Sequence, residues 1–196
     1  MWISDFYLEN KQVMSYVSYR VLDKQKDLRV LELPSGVRTV KMMGVDLKKK
    51  GLKPVPKILQ LPYTQLIITP QAVFASQSVT PMESYESQVT FPIMPNIYSN
   101  FSFCTGELET RSDEEIANSF YLSEWGLPDV WSCKIILPKI FEQETPQLAV
   151  RTWEKMSKSN PESVMKQISQ KATFIPLQFV VKAKVELNSN GHIVPI

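Results

Sequence analysis

A chain of 196 residues, 43% hydrophobic and 21% charged, has the composition of a globular protein and enough length to bury a sizeable core in one domain. Its formal net charge of +2 argues against nucleic acid as a partner, because phosphate binding needs a clustered basic surface; two cysteines without paired spacing and a single histidine argue against a metal centre. No apolar run reaches the roughly 18 residues of a membrane helix, and the opening MWISDFYLENK is neither basic nor followed by a long apolar stretch, which points to a cytoplasmic protein with reduced thiols, no membrane partner and no cofactor.

Residues 12 to 22, QVMSYVSYRVL, mix β-branched and aromatic side chains at a period near two, the pattern of a half-covered strand. Asp23 to Asp27 is a polar connection, Leu28 to Leu33 alternates, and Pro34-Ser35-Gly36 supplies a turn before Val37 to Met43. The first 45 residues therefore read as a small antiparallel meander. Gly44 to Pro56 contains Lys48-Lys49-Lys50, Lys53 and two prolines; since proline cannot donate to a ladder, the segment reads as a crossing loop with solvated lysines. From Ile58 onward, LQLPYTQLIIT and AVFASQSV predict two buried strands joined at Pro70-Gln71. A polar link over Thr80 to Ser87 then leads to Val89-Thr90-Phe91.

Helical signals follow. Ser112-Asp113-Glu114-Glu115 is a capping box, with Ile116, Ala117, Phe120 and Tyr121 on one face of the helix it opens. Trp131 to Leu137 is a strand or the start of a helix broken at Pro138; a run this short fits both. Thr145-Pro146 and Asn160-Pro161 each put a capping residue before a proline, predicting helices over 146–158 and 161–171, with buried faces at Ala149, Trp153, Met156 and at Val164, Met165, Ile168. Phe174 to Leu187 reads as a long strand interrupted at Pro176. The whole is α+β: one domain over 1–196, with an N-terminal meander over 1–45, a core over 58–126 and a helical region with a C-terminal strand over 127–196.

The chemically suggestive stretch is Val89 to Gly106, VTFPIMPNIYSNFSFCTG, in which Pro95-Asn96 precedes Cys104. Acyl transfer from a cysteine thioester to an amine needs a nucleophilic sulfur and a donor for the oxyanion formed on attack. Cys104 and Asn96 have the side chains for those two roles if Tyr98 to Phe101, polar at its centre, folds the chain back on itself. A cysteine between aromatic residues and a small turn also serves as a buried hydrophobe.

Leu61-Pro62-Tyr63, Val73-Phe74-Ala75, Phe91-Pro92-Ile93-Met94-Pro95-Asn96-Ile97-Tyr98 and Cys104-Thr105-Gly106 together resemble the prokaryotic ubiquitin-conjugating-like family D, a group that includes protein B of the PRTRC systems of bacterial mobile elements. The resemblance covers residues 58 to 126 and implies a meander of strands followed by helices, with Cys104 carrying a ubiquitin-like modifier as a thioester and Asn96 stabilising the oxyanion. The implied partners are the modifier and an activating enzyme. The chain departs from the pattern in two places. Met94 stands where ubiquitin-conjugating enzymes have a histidine before Pro-Asn, and Asn118 to Trp125 lacks the histidine that family members carry downstream of the cysteine. His192 is too far along the chain for the role, so a base would have to be a carboxylate such as Glu107 or Glu124, or the attacking amine would arrive unassisted. Those losses favour a competing reading: a catalytically degenerate binding or assembly module of a mobile element or phage, whose partners are the other subunits.

Overall fold

The computed structural model describes residues 18–46, 51–103, 112–122, 124–128 and 133–190. The architecture is mixed α+β, with a six-stranded antiparallel sheet, a three-stranded sheet and five helices among the described residues. In chain order the strands are β1 (Arg20–Lys24), β2 (Arg29–Leu33), β3 (Gly36–Asp46), β4 (Gly51–Leu61), β5 (Tyr63–Ile68), β6 (Val73–Ser78) and β7 (Gln88–Thr90). There follow α1 (Asp113–Leu122), β8 (Glu124–Trp125), α2 (Cys133–Phe141), α3 (Pro146–Ser159), α4 (Pro161–Lys171), β9 (Phe174–Pro176) and α5 (Leu177–Asn190). The large sheet has the order β1-β2-β5-β6-β7-β9 and the small one β4-β3-β8.

One ribbon joins the two sheets. Strand β2 pairs with β5 down to Leu33 opposite Thr64, and β3 pairs with β4 from Gly36 opposite Leu61. Both strands advance by the same number of residues across that gap, so the pairing keeps its register through a bend that holds Pro34 on one strand and Pro62 on the other. The chain thus runs out along β2 and β3 and returns along β4 and β5.

The segment 44–56 is therefore not a crossing loop; its described residues belong to the strands β3 and β4. The prolines are tolerated because β4 is an edge strand. The backbone N–H of Gln60 points off that edge to Ser157 Oγ at 2.7 Å, and the two-residue repeat of a strand turns positions 56 and 54 the same way. Pro54 and Pro56 therefore remove only N–H groups that face away from β3, and they blunt the edge against further pairing. Nearer the bend, α3 covers the edge: Trp153 donates its indole N–H to the Gln60 carbonyl at 2.9 Å, and Lys57 pairs with Glu154 at 2.9 Å.

Alternation along the strands divides the core between the two faces of the large sheet. Leu31, Leu33, Leu66, Ile68, Val73 and Ala75 face the helices α1 to α4, whose Phe120, Leu137, Trp153 and Ile168 close that side. Val30, Ile67, Phe74 and Val89 face the other way, onto Leu177, Val180 and Val181 of α5. The helix starts agree with their sequence signals. Ser112 and Glu115 exchange capping bonds, and the Thr145 and Asn160 side chains accept from Leu148 and Ser163, each with proline opening the helix that follows.

Two stretches differ from the sequence reading. Residues 133–141 form α2 straight through Pro138. Only Phe174–Pro176 of the expected C-terminal strand is strand, and Leu177 begins α5. Its buried residues Leu177, Val180, Val181 and Lys184 recur at helical spacing, a period masked by the continuous apolar run. Residues 12–17, the first part of the expected N-terminal strand, lie outside the described residues; β1 is its remainder.

Lys184 is the odd member of that helical face. Its ammonium lies 5.1 Å from the Phe74 ring centre and 5.3 Å from that of Phe101, without an acidic partner among the described residues, and burial lowers its pKa. Because the unfolded chain binds the proton more tightly, the charge costs stability at neutral pH, and that cost shrinks as pH rises toward 10.5. Lys184→Met is expected to raise the unfolding free energy by about 1 kcal/mol, the desolvation of the ammonium outweighing its cation–π contacts. Urea unfolding of both proteins at pH 7 and pH 10 checks this, with the smaller gap at pH 10.

Candidate functional site

The stretch singled out by the sequence is an excursion from one strand edge. Thr90 of β7 pairs with Gln77 of β6, the chain then leaves the sheet, and it returns to the same edge where Ser102 bridges Phe74. Backbone bonds from Ala75 N–H to the Phe101 carbonyl at 2.9 Å and from Phe103 N–H to the Val73 carbonyl at 2.7 Å close the return. Buried Ile93, Met94 and Ile97 pin the excursion against the core.

Each end of the Pro-Asn turn is held by an amide side chain. On one side, the fully buried Gln77 accepts the Ile93 N–H at 2.9 Å through its side-chain oxygen. Its Nε2 reaches Met94 Sδ at 2.9 Å and Thr64 Oγ1 at 3.4 Å. Met94 brings no polar anchor of its own to this turn, and Gln77 supplies one from the neighbouring strand. On the other side, Asn96 adopts a left-handed backbone, φ 64°, which asparagine tolerates better than most residues. Its Oδ1 accepts the Gly126 N–H at 2.8 Å and its Nδ2 donates to the Glu124 carbonyl at 3.1 Å. The turn is thereby tied to β8 and to the end of that short strand.

The chain does fold back after Asn96. Phe101 N–H donates to the Tyr98 carbonyl, Tyr98 N–H to the Ser102 carbonyl, and Ser102 is fixed by Asn100 Oδ1. Ile97 and Phe103 then form an antiparallel bridge, and Phe103 packs on Phe120 of α1 with ring centres 4.8 Å apart. Cys104 and Glu107 lie outside the described residues, as do Lys48 to Lys50 and His192. The other carboxylate considered as a base, Glu124, is exposed and offers its backbone carbonyl to Asn96. Cys133 is buried in the core of α2, its sulfur against the Pro128 carbonyl.

Gln77 escapes sequence reading because nothing local marks it. Its one signal is a glutamine inside a run that otherwise reads as a buried strand, since a fully buried amide must find partners. Among the described residues no group of histidine, cysteine and acidic side chains is placed to hold a metal ion, and no helix is long and apolar enough to cross a membrane. No protein-family model, no curated protein and no solved structure matches the chain.

The geometry of Asn96 makes a prediction about its role. Asn96→Ala removes two hydrogen bonds and puts a residue with no side-chain amide at a left-handed position, so the unfolding free energy falls by about 2 kcal/mol. Asn96→Asp keeps the acceptor for Gly126 but sets a carboxylate against the Glu124 carbonyl, and it falls between the two. Urea unfolding of the three proteins checks the order; unchanged stability in Asn96→Ala would show that the clamp contributes nothing.

Proposed function

We propose that the chain is a ubiquitin-conjugating-like module that binds a protein partner through the outer face of the β3–β4 ribbon and does not itself transfer an acyl group. The observation that carries this reading is the exposed apolar character of that face. Opposite residues of an antiparallel pair share a face, so Val37, Thr39, Lys41 and Met43 lie with Gln60, Ile58, Pro56 and Pro54, and Leu52 follows on the same face, while Val40, Met42 and Leu59 point into the core. Val37, Ile58 and Leu52 are 47%, 37% and 54% exposed. A ribbon apolar on both sides and covered on one is the pattern of a surface kept for a partner.

The partner that suits it is a protein segment with an apolar strip and acidic flanks. Lys41 is exposed on this face, and the sequence linking β3 to β4 is Leu47-Lys48-Lys49-Lys50. The Pro-Asn turn then serves the fold, bracing β8 beside β3.

A photo-crosslinking amino acid at position 52, expressed in cells that encode the protein, tests this. A single defined adduct is expected, lost in Ile58→Lys and retained in Cys104→Ser. An adduct unchanged in Ile58→Lys contradicts the reading.

The second reading, Cys104 as acyl carrier, is favoured by the Ile97–Phe103 bridge, which brings the chain together one residue from each candidate position. The Asn96 amide nitrogen also has a second N–H beside the one given to Glu124. On that reading the adduct depends on Cys104.

A further inference from the structure

Arg38, Tyr121 and Thr64 converge where β3, α1 and β5 meet, behind the Pro-Asn turn. Thr64 and Tyr121 are buried and Arg38 is partly exposed. The Arg38 guanidinium lies 4.8 Å from the centre of the Tyr121 ring, and its Nη2 donates to the Pro34 carbonyl at 3.4 Å. The Arg38 Nε is buried and makes no hydrogen bond, and the same holds for the Tyr121 hydroxyl. No carboxylate among the described residues pairs with Arg38. Burial raises the Tyr121 pKa, and Thr64 and the positive Arg38 beside its hydroxyl oppose that rise. The bonds of Thr64 Oγ1 are long as well, 3.4 Å to the Pro62 carbonyl and 3.4 Å from Gln77 Nε2.

Buried donors in folded proteins are almost always paired, so two together call for an explanation. An arginine Nε–H only donates and keeps its charge, and each hydroxyl brings one more donor. The cluster sets two unpaired donors, a third donor in the Thr64 hydroxyl held only at 3.4 Å by the Pro62 carbonyl, and a positive charge against no anionic acceptor. A water molecule accepts from two of them but adds two hydrogens of its own to a place already rich in hydrogens. An oxygen bearing negative charge accepts from all three and balances the guanidinium.

We infer that Arg38, Tyr121 and Thr64 form a binding site for the oxygen edge of a small oxyanion, a phosphate or a carboxylate, reached from the exposed side of Arg38. The site is independent of the ribbon face. Gln77 links it to the turn, since the same amide that touches Thr64 holds the Ile93 N–H. Occupancy is therefore expected to stiffen the excursion that carries Asn96.

Thermal unfolding of the full chain, titrated at constant ionic strength with inorganic phosphate, with N-acetylglycine and with the neutral N-acetylglycinamide, tests the site. One of the two anions is expected to raise the midpoint by about 3 °C near saturation, and the neutral amide to leave it in place. Which anion acts separates a phosphate ligand from a carboxylate one. Arg38→Met is expected to abolish the shift, and Tyr121→Phe, which keeps the ring, to raise the half-saturating concentration about tenfold. Lys41→Met, a charge change on the exposed face, leaves the response intact. Should Arg38→Met fail to fold, Tyr121→Phe decides. No shift with either anion, or an unchanged response in Arg38→Met or Tyr121→Phe, overturns the inference and leaves the donors to water.

Discussion

Replacing Trp153 by alanine lowers the unfolding free energy by about 4 kcal/mol, the largest loss expected of any single change considered. The side chain is fully buried, stacks on Phe141 with ring centres 5.8 Å apart, and gives its indole N–H to the Gln60 carbonyl at 2.9 Å. The neighbouring Ser157 accepts the Gln60 N–H and returns its own hydroxyl to the Trp153 carbonyl at 2.7 Å. One residue of α3 and its neighbour one turn on therefore satisfy both backbone groups that Gln60 turns outward from the edge of β4. The alanine variant loses packing and leaves that carbonyl unpaired together. Trp153→Phe separates the two, keeping most of the ring volume and losing the donor, at a cost of about 1 to 2 kcal/mol. Guanidinium unfolding of the pair measures both; equal losses would mean that the hydrogen bond carries the whole effect.

The second large effect sits on the opposite side of the sheet. Glu32 is fully buried, faces Arg20 at 2.9 Å and accepts the Met82 N–H at 2.9 Å, so it ties β1 and the segment after β6 to β2. Glu32→Ala takes the carboxylate from a largely buried guanidinium, which keeps its bond to the Met82 carbonyl, and leaves the buried Met82 N–H without its acceptor, so about 3 kcal/mol of stability is lost at neutral pH. Burial raises the Glu32 pKa above 4.5, against the pull of the Met82 N–H and the Arg20 side chain. The folded state then holds the proton more tightly than the unfolded chain, so Glu32 adds most to stability at pH below 4.5 and that part is lost as pH rises through its folded pKa. Urea unfolding of wild type and Glu32→Gln across that range checks the sign. Wild type should lose ground to the glutamine variant as pH rises, and the opposite trend would show that Arg20 outweighs burial.

What the sequence discloses depends on how local the deciding interaction is. The capping box at Ser112 and the Thr-Pro and Asn-Pro starts at 145 and 160 are decided within four residues, and those helices begin as their sequence signals imply. The strands around Leu66 and Phe74 are legible for the same reason, through alternation and burial. Pro54 and Pro56 are not, because a proline in a strand is permitted or forbidden by the side on which its missing N–H would point, and only the position of β4 at a sheet edge settles that. The α5 helix was hidden in a run that satisfies a two-residue period almost as well as a helical one.

The candidate site follows the same rule. Its fold-back was legible, since Tyr98 to Phe101 is a local turn. The partners of Asn96 were not, because Glu124 and Gly126 come from beyond α1. Gln77, the amide that holds the turn at Ile93 and Met94, reaches it across strands. Spacing between a Pro-Asn pair and a cysteine says which residues share a segment, and it does not say where an amide will spend its hydrogen bonds.

On the proposed reading this segment builds the fold and no activated thiol follows it. The most direct measurement is the rate of alkylation of the folded protein across pH, read by mass spectrometry at Cys104, with buried Cys133 as the internal reference. If the segment serves the fold alone, Cys104 is predicted to label with a midpoint at or above the ordinary cysteine value of about 8.5. Fast labelling at Cys104 with a midpoint shifted well below that value would contradict the account and establish the acyl carrier.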